Sequence, residues 1–232
     1  MPPQSESTSS SAPAATLAAA PSPSCLITNE SVPFGAIKPY FVVSPDSLSE
    51  EEVAKLRASW IMDDNEFSSE YNEVHLRADW AGSLSRDSWT FVPPPDALQS
   101  ILRKLIFLKS GGKNSAWFSV YPKEKSYNYR FVPFDLQGAV ITRIISGSGH
   151  NPNHAPVPTI YLPPYMDFPS VKSNAHPYFV IYEALAQFHS RARSDELTEE
   201  QLQIYSTLVH INSLWEELRE FPSQEVAVKP SP

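Results

Sequence analysis

A single cysteine in 232 residues excludes an internal disulfide framework, so the chain must hold itself together by packing and hydrogen bonding. Cys25 reads as a packed or free thiol and fits a reducing compartment. Glycine is scarce at seven residues, which leaves little material for a phosphate cradle. No Gly-rich phosphate loop, Cys-x-x-Cys pair or nucleophile-elbow serine is present. No apolar run approaches the roughly 18 residues that a membrane-spanning helix needs. Basic charge is also short, with 18 Lys and Arg against 26 Asp and Glu and a formal net charge of −8. Such a balance argues against a protein that holds nucleic acid through its overall field, because phosphate affinity comes largely from cationic side chains that release counterions.

The deficit is uneven. Between Ile101 and Arg143 eight basic residues (Arg103, Lys104, Lys109, Lys113, Lys123, Lys125, Arg130 and Arg143) face only Glu124 and Asp135, a local balance of +6 that leaves −14 elsewhere. What the chain does have is apolar material: 41% hydrophobic residues, 12% of all residues aromatic, enough to fill a core.

The first 24 residues, "MPPQSESTSSSAPAATLAAAPSPS", carry no aromatic and no basic side chain and are expected to be disordered. They lack the basic start and long apolar centre of a signal peptide and the arginines of a mitochondrial presequence, so the expectation is an intracellular protein of the cytoplasm or nucleus, not tied to a membrane. Residues 223–232 read as a second frayed end.

Between these ends the pattern predicts an α+β fold. "CLIT" and "YFVV" are brief apolar runs that read as a hairpin-like pair of strands. In "SLSEEEVAKLRASW" a capping box of Ser49 and Glu52 opens a helix with Val53, Leu56 and Trp60 on one face. Leu76, Trp80 and Leu84 recur every four residues, which predicts a helix with Asn72 near its start, followed by the strand "SWTFV". "PDALQSILRKLIFL" is helical, and "AWFSVY" and "YNYRFVPF" read as strands. Two helices close the chain. One has Ser173 or Asn174 as its cap and Pro177 in its first turn, and the other has a capping box of Thr198 and Gln201.

Candidate chemistry is thin. His75 and Asp79 are four apart and would share a helix face, a workable metal-ligand spacing and equally an ordinary surface pair. His150 and His154 lie in the loop "HNPNH" with no carboxylate beside them, while His176, His189 and His210 read as helix-start, surface or packed residues. A binding module is a different class of function. Trp117, Tyr121, Tyr127 and Tyr129 are interleaved with Lys123, Lys125 and Arg130, which makes Trp117, Lys123, Lys125 and Arg130 candidate nucleic-acid contacts. The same alternation is what half-buried strands show when lysines solvate their outer face. A third class is a protein-interaction scaffold built on the acidic C-terminal helix.

The order of several short motifs carries a family likeness. "N-x-x-x-L-R-x-D-W" from Asn72, followed by "W-T-F-V-P", resembles the end of the nuclease domain in fungal HNH-type proteins. "CLIT" matches the family's opening strand, "KPYFVVSP" occupies the place of its second element, and "YRFVPF" and "FPSVKSNAHPYFVIYEAL" resemble segments that follow the nuclease unit. The resemblance runs from about Cys25 to about Phe188. It implies an HNH-like ββα-metal unit over residues 25–95 and an α+β extension over 96–222 packed on it. It also implies chemistry at one divalent metal: a strand histidine as general base, an asparagine that orients it, and a helix histidine that helps hold the ion. Asn72 matches the asparagine. The helix histidine would fall at Ala81, the acidic residue after it at Ser85, and the strand histidine at Tyr40 or Phe41. Alanine and serine supply neither an imidazole nor a carboxylate ligand, and neither Tyr40 nor Phe41 offers a base near neutrality. The expectation is therefore a nuclease-derived fold without its catalytic mechanism and without a cofactor. The runners-up are an active metal-dependent nuclease with substituted ligands and a module that binds nucleic acid or protein.

Overall fold

The computed structural model describes residues 23–31, 37–60, 67, 69–110, 126–145, 157–192 and 197–220. The described elements run β1 (Ile37–Phe41), α1 (Glu50–Trp60), β2 (Glu73–Arg77), α2 (Ala78–Leu84), β3 (Trp89–Val92) and α3 (Pro95–Lys109). They continue with β4 (Tyr127–Pro133), β5 (Ile141–Ile145), β6 (Val157–Tyr161), β7 (Val171–Ser173), α4 (Pro177–Ala192) and α5 (Glu199–Glu220). The class is α+β, with small antiparallel sheets and helices packed against them. The ribbon β1–β2, the sheet β3–β4–β7 and the ribbon β5–β6 are each antiparallel throughout.

The helix starts follow the local sequence. Ser49 and Glu52 close a full capping box at α1: the Ser49 backbone N–H and hydroxyl both donate to Glu52 Oε2, at 2.8 and 2.7 Å, and the Glu52 N–H donates to Ser49 Oγ at 3.2 Å. Thr198 and Gln201 do the same for α5 at 2.9 and 3.3 Å. Pro177 is the first residue of α4, where its missing N–H costs nothing. The cap before it is neither Ser173 nor Asn174. Instead His176 Nδ1 accepts the Tyr178 N–H at 3.3 Å, and Ser173 Oγ accepts the Ala175 N–H.

Two expectations are corrected. Residues 73–77 form a strand, and the helix begins only at Ala78. Leu76, Trp80 and Leu84 are all buried, as a four-residue repeat requires, but Leu76 reaches the core from a strand in which Val74 and Leu76 alternate with Glu73, His75 and Arg77. Periods of two and of four coincide at Leu76, and the strand's alternation governs the residues before Ala78. The run "CLIT" is a turn rather than the partner of β1. Cys25 N–H donates to Glu30 O and Asn29 N–H to Cys25 O, both at 2.8 Å, with Asn29 at φ 55°, a left-handed conformation that asparagine tolerates. Its apolar residues are buried all the same. The expected strand "AWFSVY" and the loop "HNPNH" lie outside the described residues.

The core is aromatic. Trp60 of α1 lies 5.3–5.9 Å, centroid to centroid, from Tyr178, Phe179 and Tyr182 of α4 and Trp215 of α5. On the sheet side, Trp89 and Phe91 of β3 meet Phe131 and Tyr129 of β4 at 5.4 and 5.3 Å. Tyr129 is fully enclosed and its hydroxyl donates to the Ala175 carbonyl. That burial pushes its phenol well above the ordinary range. The β3–β4 ladder crosses the boundary expected near residue 95, so the first unit and its extension share one sheet and one core.

Candidate functional site

The ladder of β1 on β2 pairs Tyr40 with Val74 and Phe41 with Glu73, and α2 follows β2 without a break. Asn72 stands just before β2, in a 3-10 turn over Glu70–Asn72 rather than at a helix start. Its carboxamide is fully buried and has three backbone partners. Oδ1 accepts the Val43 N–H at 2.9 Å, and Nδ2 donates to the carbonyls of Val43 and Phe67, both at 2.8 Å. The main chain adds the Val42 N–H to Asn72 O at 2.7 Å. Asn72 therefore lies beside the end of the strand that carries Tyr40 and Phe41. Both of its amide hydrogens are engaged in bracing the Val42–Val43 backbone and Phe67.

The helix positions implied by the resemblance carry no ligand side chain. Ala81 is 4% exposed on the inner side of α2. Ser85 follows the helix and donates its hydroxyl back to the Ala81 carbonyl at 3.1 Å. Neither residue offers a metal donor to the space between α2 and β1. With the Asn72 amide already committed, these residues do not fit the divalent ion that the resemblance implies. Among the described residues no three or more His, Cys, Asp or Glu side chains are gathered as a ligand set.

His75 and Asp79 do not share a helix face, because the strand ends between them. His75 is in β2 opposite Pro39, and Asp79 is in the first turn of α2. Asp79 instead forms a fork with Arg77: Nε donates to Oδ1 at 2.8 Å and Nη2 to Oδ2 at 2.7 Å. Arg77 Nη1 reaches Glu30 Oε2 at 2.6 Å. The hydrogen bond from Arg77 holds the Asp79 carboxyl below its ordinary range, and the Asp79 bond, joined by the charge of Glu30, raises the guanidinium against the opposing cost of burial.

Sequence reasoning missed the importance of Arg77 and Arg143. Arg77 clamps the Cys25–Glu30 turn to the β2–α2 junction, and its own backbone N–H contacts Cys25 Sγ at 3.5 Å. Arg143 of β5 donates from Nη1 to the carbonyls of Leu26 and Ile27 at 2.8 and 2.6 Å, and its guanidinium lies 5.7 Å over the Phe168 ring. The same turn is bonded to β5 by Ile144 N–H to Thr28 O at 2.8 Å and by Asn29 Nδ2 to Ile144 O at 2.7 Å. The Arg-x-Asp spacing was a visible signal for the first clamp. Nothing in the sequence marked the second, which spans more than a hundred residues.

Four of the described cations of the basic segment have separate partners. Arg130 of β4 pairs with Glu200 of α5 at 2.7 Å, and Lys109 of α3 forms an ion pair with Glu217 of the same helix. Arg143 is turned toward carbonyls, and Arg103 Nε donates to Gln99 O within α3 at 3.2 Å. Trp117, Lys123 and Lys125 lie outside the described residues, as does Lys113. Shallow depressions mark the surface of the described residues. One of about 210 Å³ has Val92, Pro95, Leu98 and Ile204 in its wall and the Arg130–Glu200 pair at its edge, and one of about 290 Å³ beside α2 is bordered by Asp79, Trp80, Arg86 and Asp135. Both are smaller than the roughly 300–1,000 Å³ of typical small-molecule sites. No helix among the described residues is long and apolar enough to cross a membrane. Comparison of the chain with protein-family models, with curated proteins and with solved structures finds no match in any of the three.

Proposed function

We propose that this protein is an HNH-type, ββα-derived domain that has lost nuclease chemistry and keeps the motif's framework as structure. The carrying observation is the Asn72 carboxamide, enclosed and bonded to three backbone groups next to the Tyr40–Phe41 strand. The chain order of β1, β2 and α2, the ladder between the two strands and the immediate start of α2 support the reading. The buried Ala81 and the self-satisfied Ser85 support the loss of the metal. Water activation at a phosphodiester needs a base and a charged centre at the leaving oxygen, and neither group is supplied at these positions.

The test is a cleavage assay on plasmid and single-stranded DNA with magnesium, manganese, nickel or zinc. The expected outcome is intact DNA. Cleavage that stays with the protein through purification and disappears on His75→Ala or Asp79→Ala would establish a working nuclease with substituted ligands. Asn72→Ala is unsuitable as the inactivating control, because its effect on folding would mimic a loss of chemistry.

A further inference from the structure

We draw no further inference here: the strongest candidate, the uncharged outward face of the β5–β6 ribbon formed by Thr142, Ile144, Pro158 and Ile160 with Val140 and Leu162 at its end, is an apolar surface without a partner among the described residues, and nothing in the structure shows what covers it.

Discussion

Asn72 is a strut, and its replacement should be read first in stability. Asn72→Ala removes the partner of the Val43 N–H and of the Val43 and Phe67 carbonyls in a region closed to water. A buried polar group left without a partner costs about 1–3 kcal/mol. Against a typical domain stability of roughly 5–15 kcal/mol, several such losses are severe. The expected outcome is a large fall in the urea midpoint, or a chain that does not fold. Asn72→Asp keeps the acceptor but sets a carboxylate against two carbonyls, and should be no better. A wild-type midpoint for either variant would remove the bracing role. Glu183 of α4 supplies a test by pH. Burial lifts its carboxyl above the ordinary carboxylate range; the Gln187 amide, which donates to it at 2.9 Å, opposes the shift and the charge of Asp87 adds to it. The folded state thus binds this proton more tightly than the unfolded chain. Its contribution to stability is complete below the unfolded value and is lost as pH rises through the higher folded value. Glu183→Gln should flatten the stability profile across that window in urea melts at stepped pH. An unchanged slope would assign the dependence to other groups.

At the level of elements, the Cys25–Glu30 turn stitches two ribbons together. It is bonded to β2 through Leu26 N–H to His75 O and through the Arg77–Glu30 pair, and to β5 through Ile144, Asn29 and Arg143. Cys25 is 1% exposed inside it, a built-in reporter of whether the turn is closed. Arg77→Ala and Arg143→Ala should each raise the rate of Cys25 labelling by a thiol reagent several-fold under native conditions, since local opening exposes what the closed turn buries. Arg77→Lys should protect only in part, because a single ammonium cannot reproduce the two-pronged bond to Asp79. Labelling at the wild-type rate in the alanine variants would show that neither guanidinium holds the turn.

For the whole molecule, the question is where the charge goes. Arg130 and Lys109 are balanced by Glu200 and Glu217 of one helix, and that helix buries Leu208, Ile211, Leu214 and Trp215 in the core. Displacing α5 to free those cations would expose several large side chains at about 1.5–3 kcal/mol each. The exposed pairs themselves contribute little, about 0–1 kcal/mol apiece. With a net charge of −8, the expected outcome of titrating fluorescent single- and double-stranded oligonucleotides at low salt is no binding at high micromolar protein. Binding that falls steeply with salt and is weakened by joint Lys123→Glu and Lys125→Glu would restore the nucleic-acid reading.

Local chemistry alone determined the α+β class, the capping boxes at Ser49 and Thr198, the start of α4 at Pro177 and the strands at Trp89 and Tyr127, because caps, proline and short aromatic runs act on their near neighbours. Under the proposed HNH-type reading, the sequence also discloses that Ala81 and Ser85 carry no imidazole or carboxylate, since a side chain's identity needs no fold to be seen. Tertiary structure decided the rest. Leu76 fitted two periodicities until pairing with β1 selected the strand, and "CLIT" became a turn because β2 and β5 bond it from both sides. By sequence Asn72 stood near a helix start and matched the motif asparagine, and it became a brace only when Val43 and Phe67 were brought to it. Arg130 and Lys109 of the basic segment met Glu200 and Glu217 only when α5 packed beside them. In each case the outcome rests on groups distant in the chain that meet only after collapse, and a one-dimensional pattern holds no distance between them.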